Sequence, residues 1–323
     1  YEDNYIGLFG YVYDATIRNL KVIAPDIYTN HYSQSYVGPL AGFVDSANIA
    51  GCSIIGGSVD GQNCVGGLIG LCKGSFIASC SSSASVSGTQ NAGGLVGSAS
   101  TFAGFPNITD CYASGSVTGA DCVGGLIGDS SRVAIVNCYS TGPVNGTTNV
   151  GGFSGYHDPN WFPVQNHVVH CFWDVTSSNM PNSAAATGLD TTAMQNIDTY
   201  LTAGWDFVGE LTNGGNDDWA MPPEGGYPLL WHELALLPAL PTFAGGTGSV
   251  SDPYLIATVE QLNSIGHNSR LMNKHFKLTA DLDMEGSRYY MIAPRPYEFS
   301  GTFDGDGHRI SNVQQLAQLY FSP

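Results

Sequence analysis

Apolar residues in this chain recur in short alternating runs, not in helical stripes. Ala113-Ser114-Gly115-Ser116-Val117-Thr118-Gly119 alternates small apolar with hydroxyl side chains at period two. That pattern, closed by glycine turns, predicts half-buried strands. Such a run is preceded by an Ile/Val-x-x-Cys strand, as in Ile77-Ala78-Ser79-Cys80 and Ile108-Thr109-Asp110-Cys111, and followed by a turn and a glycine-rich strand. The pattern therefore predicts three short strands per unit.

The glycine-rich strand organises the chain. Val65-Gly66-Gly67-Leu68-Ile69-Gly70 returns at 92–97, 123–128 and 150–155. Ile6-Gly7-Leu8-Phe9-Gly10 and the degenerate Val37-Gly38-Pro39-Leu40-Ala41-Gly42 fit the same template. The leading glycines, at 7, 38, 66, 93, 124 and 151, are separated by 31, 28, 27, 31 and 27 residues. A period in that range marks a solenoid. Three strands in about 27–31 residues suit one coil of a parallel β-helix, with Leu, Ile and Val filling a narrow core and like stacking on like. The motif glycines are expected to bend the chain at a corner and let neighbouring coils pack closely.

These six copies resemble the GLUG-motif repeats of large bacterial surface proteins, which are right-handed parallel β-helices related to filamentous-haemagglutinin-like adhesins. The resemblance implies an all-β, right-handed parallel β-helix with small helical capping segments, secreted or displayed at the cell surface. On this reading residues 1–172 are the coils. Residues 173–233 form a loop, a short helix and a Trp-rich terminal cap; Thr192 and Gln195 make a capping box, so the helix runs to about Ala203. Residues 234–248 read as a Pro/Gly-punctuated linker. Residues 249–323 resemble the entry segment that begins such a helix, with a second capping box at Thr258 and Gln261. The entry segment thus stands last and the first repeat stands first. Either the chain is one period of a longer tandem array, or its C-terminal segment caps the open first coil of the next copy. The expected assembly interface comprises Tyr1, Tyr5, Ile6, Leu8 and Phe9 on one side and Phe303, Ile310 and Val313 on the other. Such a head-to-tail contact does not close on itself and propagates.

Charge narrows the partners. Ten basic against 27 acidic residues argue against nucleic acid, which needs Lys/Arg stripes, and no apolar run is long enough to span a bilayer. Between Ile49 and Gly155 the charged residues are Asp60, Lys73, Asp110, Asp121, Asp129 and Arg132, so hydroxyls and amides keep the coils wet. Of eight cysteines, Cys52, Cys80, Cys111, Cys138 and Cys171 follow the repeat and predict a structural ladder of small buried thiols. Cys64 and Cys122 stand where other coils carry Asn91 and Asn149, and Cys72 reads as having no repeat equivalent.

Catalytic chemistry is sparse. β-Helical lyases and hydrolases need clustered carboxylates, and the coil aspartates form no compact acidic patch in sequence, so no enzyme is expected. Asp304 and Asp306, in Phe303-Asp304-Gly305-Asp306-Gly307-His308, look like a fragment of a calcium loop but lack the twelfth-position Glu of an EF-hand. An Asp-stabilised turn is the competing reading, and no other cofactor is implied. Tyr112, Tyr139 and Tyr156 could meet surface glycans, although Tyr112 and Tyr139 follow ladder cysteines and are expected to stack. The expected role is an extracellular structural or adhesive fibre; the alternative is a carbohydrate-binding or polysaccharide-degrading β-helix.

Overall fold

The computed structural model describes residues 4–29, 35–100, 107–131, 133–158, 168–208, 213, 218–222, 225–234, 242–266, 271, 273–287, 292 and 299–313. They fall into two compact units, Tyr1–Asn196 and Ile197–Pro323. The first is a parallel β-solenoid of six coils among the described residues, stacked into four sheets.

The third coil shows the plan: Asn63–Gly66, Ile69–Lys73, Phe76–Ala78, Ser81–Ser82, then the start of Ser85–Gly93. This last strand finishes one coil and opens the next, so a single sheet holds both ends of each turn. Each coil is therefore cut more finely than the three strands expected. The extra corners come from residues in the left-handed region, most of them not glycine. Asn19, Gly51, Ser79, Asp110, Asn137 and His170, with φ of 50–62°, form one such column. Short polar residues tolerate this conformation best, and Asn137 also donates a 3.2 Å hydrogen bond to Asp110 one coil away.

Register is strict, because a slip of one residue would turn every core side chain outward. Ile17, Ile49, Ile77, Ile108 and Ile135 stack in one column, and Ile27, Val59, Val86, Val117 and Val144 in another. Cys72, which has no equivalent in the motif reading, lies in register with Val44 and Ala99 and belongs to a buried column.

The motif glycines have ordinary negative φ; what they provide is room. A Cβ on Gly66 would overlap the carbonyl oxygen of Ile69, and one on Gly67 or Gly94 would overlap the carbonyl oxygen of Gly94 or Gly125 in the following coil. The turn after the glycine pair brings two sheets and successive coils together with no space for a side chain.

Each corner of this column is followed by a ladder cysteine, or by Leu20 in the first coil. Cys52, Cys80, Cys111, Cys138 and Cys171 are buried free thiols. Each donates to the carbonyl two residues back, at 3.5, 3.1, 3.0, 3.2 and 3.3 Å. Cys80 also accepts the backbone N–H of Cys52, and Cys111 that of Cys80, at 3.4 Å. The ladder thus fills the core and adds a weak polar contact at each corner.

The two ends of this core differ. At the sixth coil Trp173 lies over Gly152, where a Cβ would overlap the indole, and its Nε1 donates to Met180 O at 2.9 Å. Thr187–Leu189 pairs with Phe172–Asp174. Buried Asp174 accepts the N–H groups of Thr176 and Ser177 at 2.8 and 2.9 Å, and Ser183 Oγ accepts those of Phe153 and Ser154 at 3.2 and 2.9 Å. Residues 173–189 therefore lie over this end and bond to part of its strand edge, leaving Val168–Val169 paired on one side among the described residues.

The helix expected from Thr192 is two short pieces, Thr191–Met194 and Ile197–Thr202. Its cap is Asp190, whose carboxylate accepts the Ala193 N–H at 2.8 Å, and Gln195 is the C-cap, not the partner of a capping box. The contact boundary at 196/197 falls inside the segment read as one cap.

In the second unit Tyr200, Trp205, Phe207 and Trp219 pack together, with Tyr200–Trp205 and Trp205–Trp219 centroids at 4.7 and 4.6 Å. The Thr258/Gln261 capping box starts helix Val259–Gly266, each residue accepting the other's N–H at 3.3 Å. The described end of the expected linker is instead packed structure. Phe243 stacks on Tyr254 at 4.4 Å, and Ala244 N–H donates to Leu255 O at 2.9 Å. Three parallel strands follow, Tyr254–Ile256, His275–Leu278 and Thr302–Asp304, with Leu282–Asp283 paired to Ile310–Ser311. Tyr254 pairs with Phe276 at an offset of 22 residues, and Phe276 with Phe303 and Leu282 with Ile310 at 27 and 28, so the last rung of this segment is wound with the period of the coils.

Candidate assembly interface

Among the described residues of the first unit, no strand lies beyond the coil at the end opposite Trp173. Asn4–Ile6, Phe9–Tyr13, Thr16–Arg18, Lys21–Ile23 and Asp26–Tyr28 form the first coil, and among the described residues each pairs on one side only. Of its core residues Val12 is buried, but Ile6, Ile17, Leu20, Val22 and Ile27 are only partly covered, while their stacking partners Val37, Ile49, Cys52, Ile54 and Val59 are at most 1% exposed. Outside the core, Leu8 is 61% and Phe9 39% exposed. Of the expected interface residues, Tyr5, Ile6, Leu8 and Phe9 thus gather on this coil; Tyr1 lies outside the described residues.

The second unit ends on a rung of its own. Thr302–Asp304 and Ile310–Ser311 each pair on one side among the described residues. Phe303 is half-buried over Phe276, with ring centroids 6.3 Å apart, and Ile310 and Val313 are exposed. Phe303 and Ile310 lie on the last described rung, and Val313 follows it two residues after the strand ends.

The calcium-like turn beside it is built from internal contacts. Asp304 accepts the N–H of Asp306 at 2.9 Å, and Asp306 pairs with Lys277 Nζ at 2.9 Å. Asp281 accepts Arg309 N–H, Nε and Nη2 at 3.1–3.3 Å, with His308 Nδ1 at 3.2 Å. These bonds, the Arg309 backbone first, hold the Asp281 carboxyl below the usual carboxylate range. Among the described residues no group of three or more His, Cys, Asp or Glu side chains could hold a metal ion.

Two further arrangements bear on chemistry. Ser130 Oγ lies 3.0 Å from His157 Nδ1 and 2.9 Å from Ser154 Oγ, a contact with no signal in the sequence because the partners come from successive coils. Both serines are fully buried and within bonding distance of the Tyr156 carbonyl, the bonds of a corner clamp with no exposed nucleophile. Tyr112 and Tyr139 stack at 5.0 Å with planes 3° apart, and Tyr139 is 1% exposed, so this pair is ladder packing.

A ring cluster elsewhere was missed. Tyr5 stacks on Tyr36 (5.6 Å) and Tyr11 on Phe43 (5.0 Å), and the two columns touch at 5.8 and 6.0 Å across the glycine corner. Tyr13 joins at 6.3 Å. The signal available was outward-facing Phe9-x-Tyr11-x-Tyr13, but the pairing of columns needs the fold.

A family model described as the GLUG motif matches residues 88–118. That span is one full turn, since Gly88 stacks on Gly119. Among curated proteins, Halomucin of Haloquadratum walsbyi (strain DSM 16790 / HBSQ001) is 34% identical over 87 residues, covering 23% of this chain and 1% of that protein. This chain therefore aligns with only a small fraction of that relative's length. No solved structure matches.

Proposed function

We propose that this GLUG-repeat β-solenoid is a structural, non-enzymatic protein of the cell surface or extracellular space, whose shaft lengthens head to tail. In the joint, the last rung of the second unit of one copy seats on the first coil of the next. One observation carries this reading: among the described residues Trp173 and Thr187–Leu189 lie over the core at one end, while the five strands of the first coil have no strand beyond them at the other and leave Ile6, Ile17, Leu20, Val22 and Ile27 partly exposed.

The two open edges are complementary in kind. A coil wound in parallel exposes the edge that precedes it at its start and the edge that follows it at its end. The first coil offers the former, at an offset of 31–32 residues from the second coil, and the 302–311 rung the latter, at an offset of 27–28 residues from the strands before it; both offsets lie close to the repeat period. Covering five half-exposed core side chains stabilises the joint by roughly 5 kcal/mol, and new ladder hydrogen bonds add to that. Association costs of about 4–15 kcal/mol nearly offset these gains, so extension should depend on concentration. GLUG repeats and the likeness to a protein named Halomucin support the extracellular setting. The hydroxyl-rich coils support a scaffold over a catalyst.

Electron microscopy of the purified chain across a concentration series tests this. Filaments are expected, with an axial step greater than the roughly 29 Å of six coils spaced about 4.8 Å apart. Ile17→Asp, which places a carboxylate in the open core end, should abolish them, as should Thr302→Pro on the opposite edge. Monomers at every concentration would overturn the reading.

A further inference from the structure

We infer that the ring block of Tyr5, Tyr11, Tyr36 and Phe43, with Tyr13 beside it, is a binding platform for an uncharged polysaccharide.

The fold does not demand these rings. Tyr5 and Tyr36 head a column that continues as Cys64, Asn91 and Cys122, each standing just before the stacked Val65, Ala92 and Val123. Tyr11 and Phe43 head a column that continues in register as Leu71, Ser98 and Asp129. The third to fifth coils hold the same corner without rings, with Cys64, Asn91 and Cys122 in one column and Leu71, Ser98 and Asp129 in the other, and a single ring, Tyr156, returns in register in the sixth coil. A block of touching rings occurs at the first two coils. There the rings lie outside the core. Tyr11 is 50% and Tyr13 64% exposed, although large apolar rings ordinarily go inside.

The surroundings define the ligand. Asp45, in register with Tyr13, pairs with Lys73 Nζ at 3.7 Å and accepts the Ser46 hydroxyl at 2.9 Å. A ring surface edged by a carboxylate, an ammonium and a hydroxyl combines stacking faces with donors and acceptors, as amphipathic ligands require. The ring faces suit the C–H faces of pyranoses, and the rim suits their hydroxyls. Charge excludes the other occupants. With a net charge of −17, the chain repels uronate or sulfated polymers and also a second copy laid side by side. The Lys73 ammonium, already set against Asp45, leaves the platform no cationic excess. Tyr5 is shared with the expected joint, whereas Tyr11, Tyr13, Tyr36 and Phe43 are not among its residues, so their part of the platform does not rest on shaft extension.

Isothermal titration of the full chain with cellohexaose, chitohexaose and an alginate oligomer tests it. At least one neutral hexaose should bind and alginate should not. Y11A/Y13A should weaken binding about tenfold, the loss expected for removed stacking contacts, while Y11F/Y13F should keep it. Both positions are exposed, so melting should not change; Tyr13→Ala alone provides a milder variant. Failure of both neutral probes, equal binding of alginate, or full affinity in Y11A/Y13A would overturn the inference. So would loss of filaments in Y11A/Y13A with sugar binding intact, since the rings would then belong to the joint.

Discussion

Gly94→Ala puts the account of the repeat motif at risk. A Cβ there would overlap the carbonyl oxygen of Gly125 and lie 2.8 Å from the Ala113 Cβ and 3.2 Å from the Gly125 carbonyl carbon. All are fixed by backbone, so no rotamer relieves the contact. Relief needs the fourth and fifth coils to part by roughly 1 Å of their ~4.8 Å spacing. That strains the flanking bonds from Gly94 N–H to Gly124 O (3.3 Å) and from Leu95 N–H to Leu126 O (2.8 Å). Overpacking costs about 1–3 kcal/mol and each weakened bond about 1 kcal/mol, so a loss of about 3–5 kcal/mol is expected. For a unit of this size that lowers Tm by roughly 10 °C. Because each coil touches only its neighbours, the melt should also broaden as the stack divides. Gly10→Ala is the control: its Cβ would lie 3.2 Å from Tyr5 O and 3.8 Å from the Tyr5 Cβ, and the expected cost is below about 1 kcal/mol. Circular dichroism melts of both variants decide the matter. If Gly94→Ala is as stable as Gly10→Ala, close approach is not why the motif needs glycine.

Other consequences are open to measurement. Trp173→Ala removes the lid on the closed core end and should cost about 3–5 kcal/mol, with dye binding to newly exposed apolar surface as a second readout. Burial pushes Cys64 up to about 11 and Cys72 up to about 12. Thiols raised in the folded state contribute stability that is intact below the unfolded value, near 8.5, and is lost as pH rises through the folded one. Denaturant melts of the first unit should therefore weaken progressively from about pH 9 to 12, and a flat profile there would contradict the burial of these thiols. In the second unit, Asp304 and Asp306 already serve Asp306 N–H and Lys277. Millimolar calcium should leave its melting unchanged, and a rise of several degrees would revive a cation site.

Much of the fold was legible because a solenoid repeats its local chemistry. The spacing of Gly66, Gly93, Gly124 and Gly151 and of the ladder cysteines follows from stacking one coil on the next, so period and core columns could be read directly. Corners were harder. Ser79, Asp110, Asn137 and His170 turn the chain in the left-handed region without glycine, so the coil divides more finely than its glycines suggest. Asp190 displaced Thr192 as a helix cap because its carboxylate reaches Ala193 N–H, a choice between adjacent good caps that spacing does not make. Phe243 was hidden inside an apparent linker because its partner, Tyr254, comes from a strand beyond the turn. Half of the candidate interface was visible as apolar residues in the first and last motifs. The ring block was not, since Tyr5 meets Tyr11 and Tyr36 meets Phe43 only where two sheets converge at the glycine corner.

Hydrogen exchange of the first coil as a function of protein concentration tests the proposed joint most directly. Outward-facing amides of Phe9–Tyr13 and Thr16–Arg18 have no strand partner beyond them among the described residues. Head-to-tail stacking predicts that their protection rises with concentration toward that of Ala41–Asp45 and Asn48–Ala50 in the second coil, and that Thr302→Pro prevents the rise. Fast exchange at these amides at every concentration, with the second coil protected throughout, would contradict it.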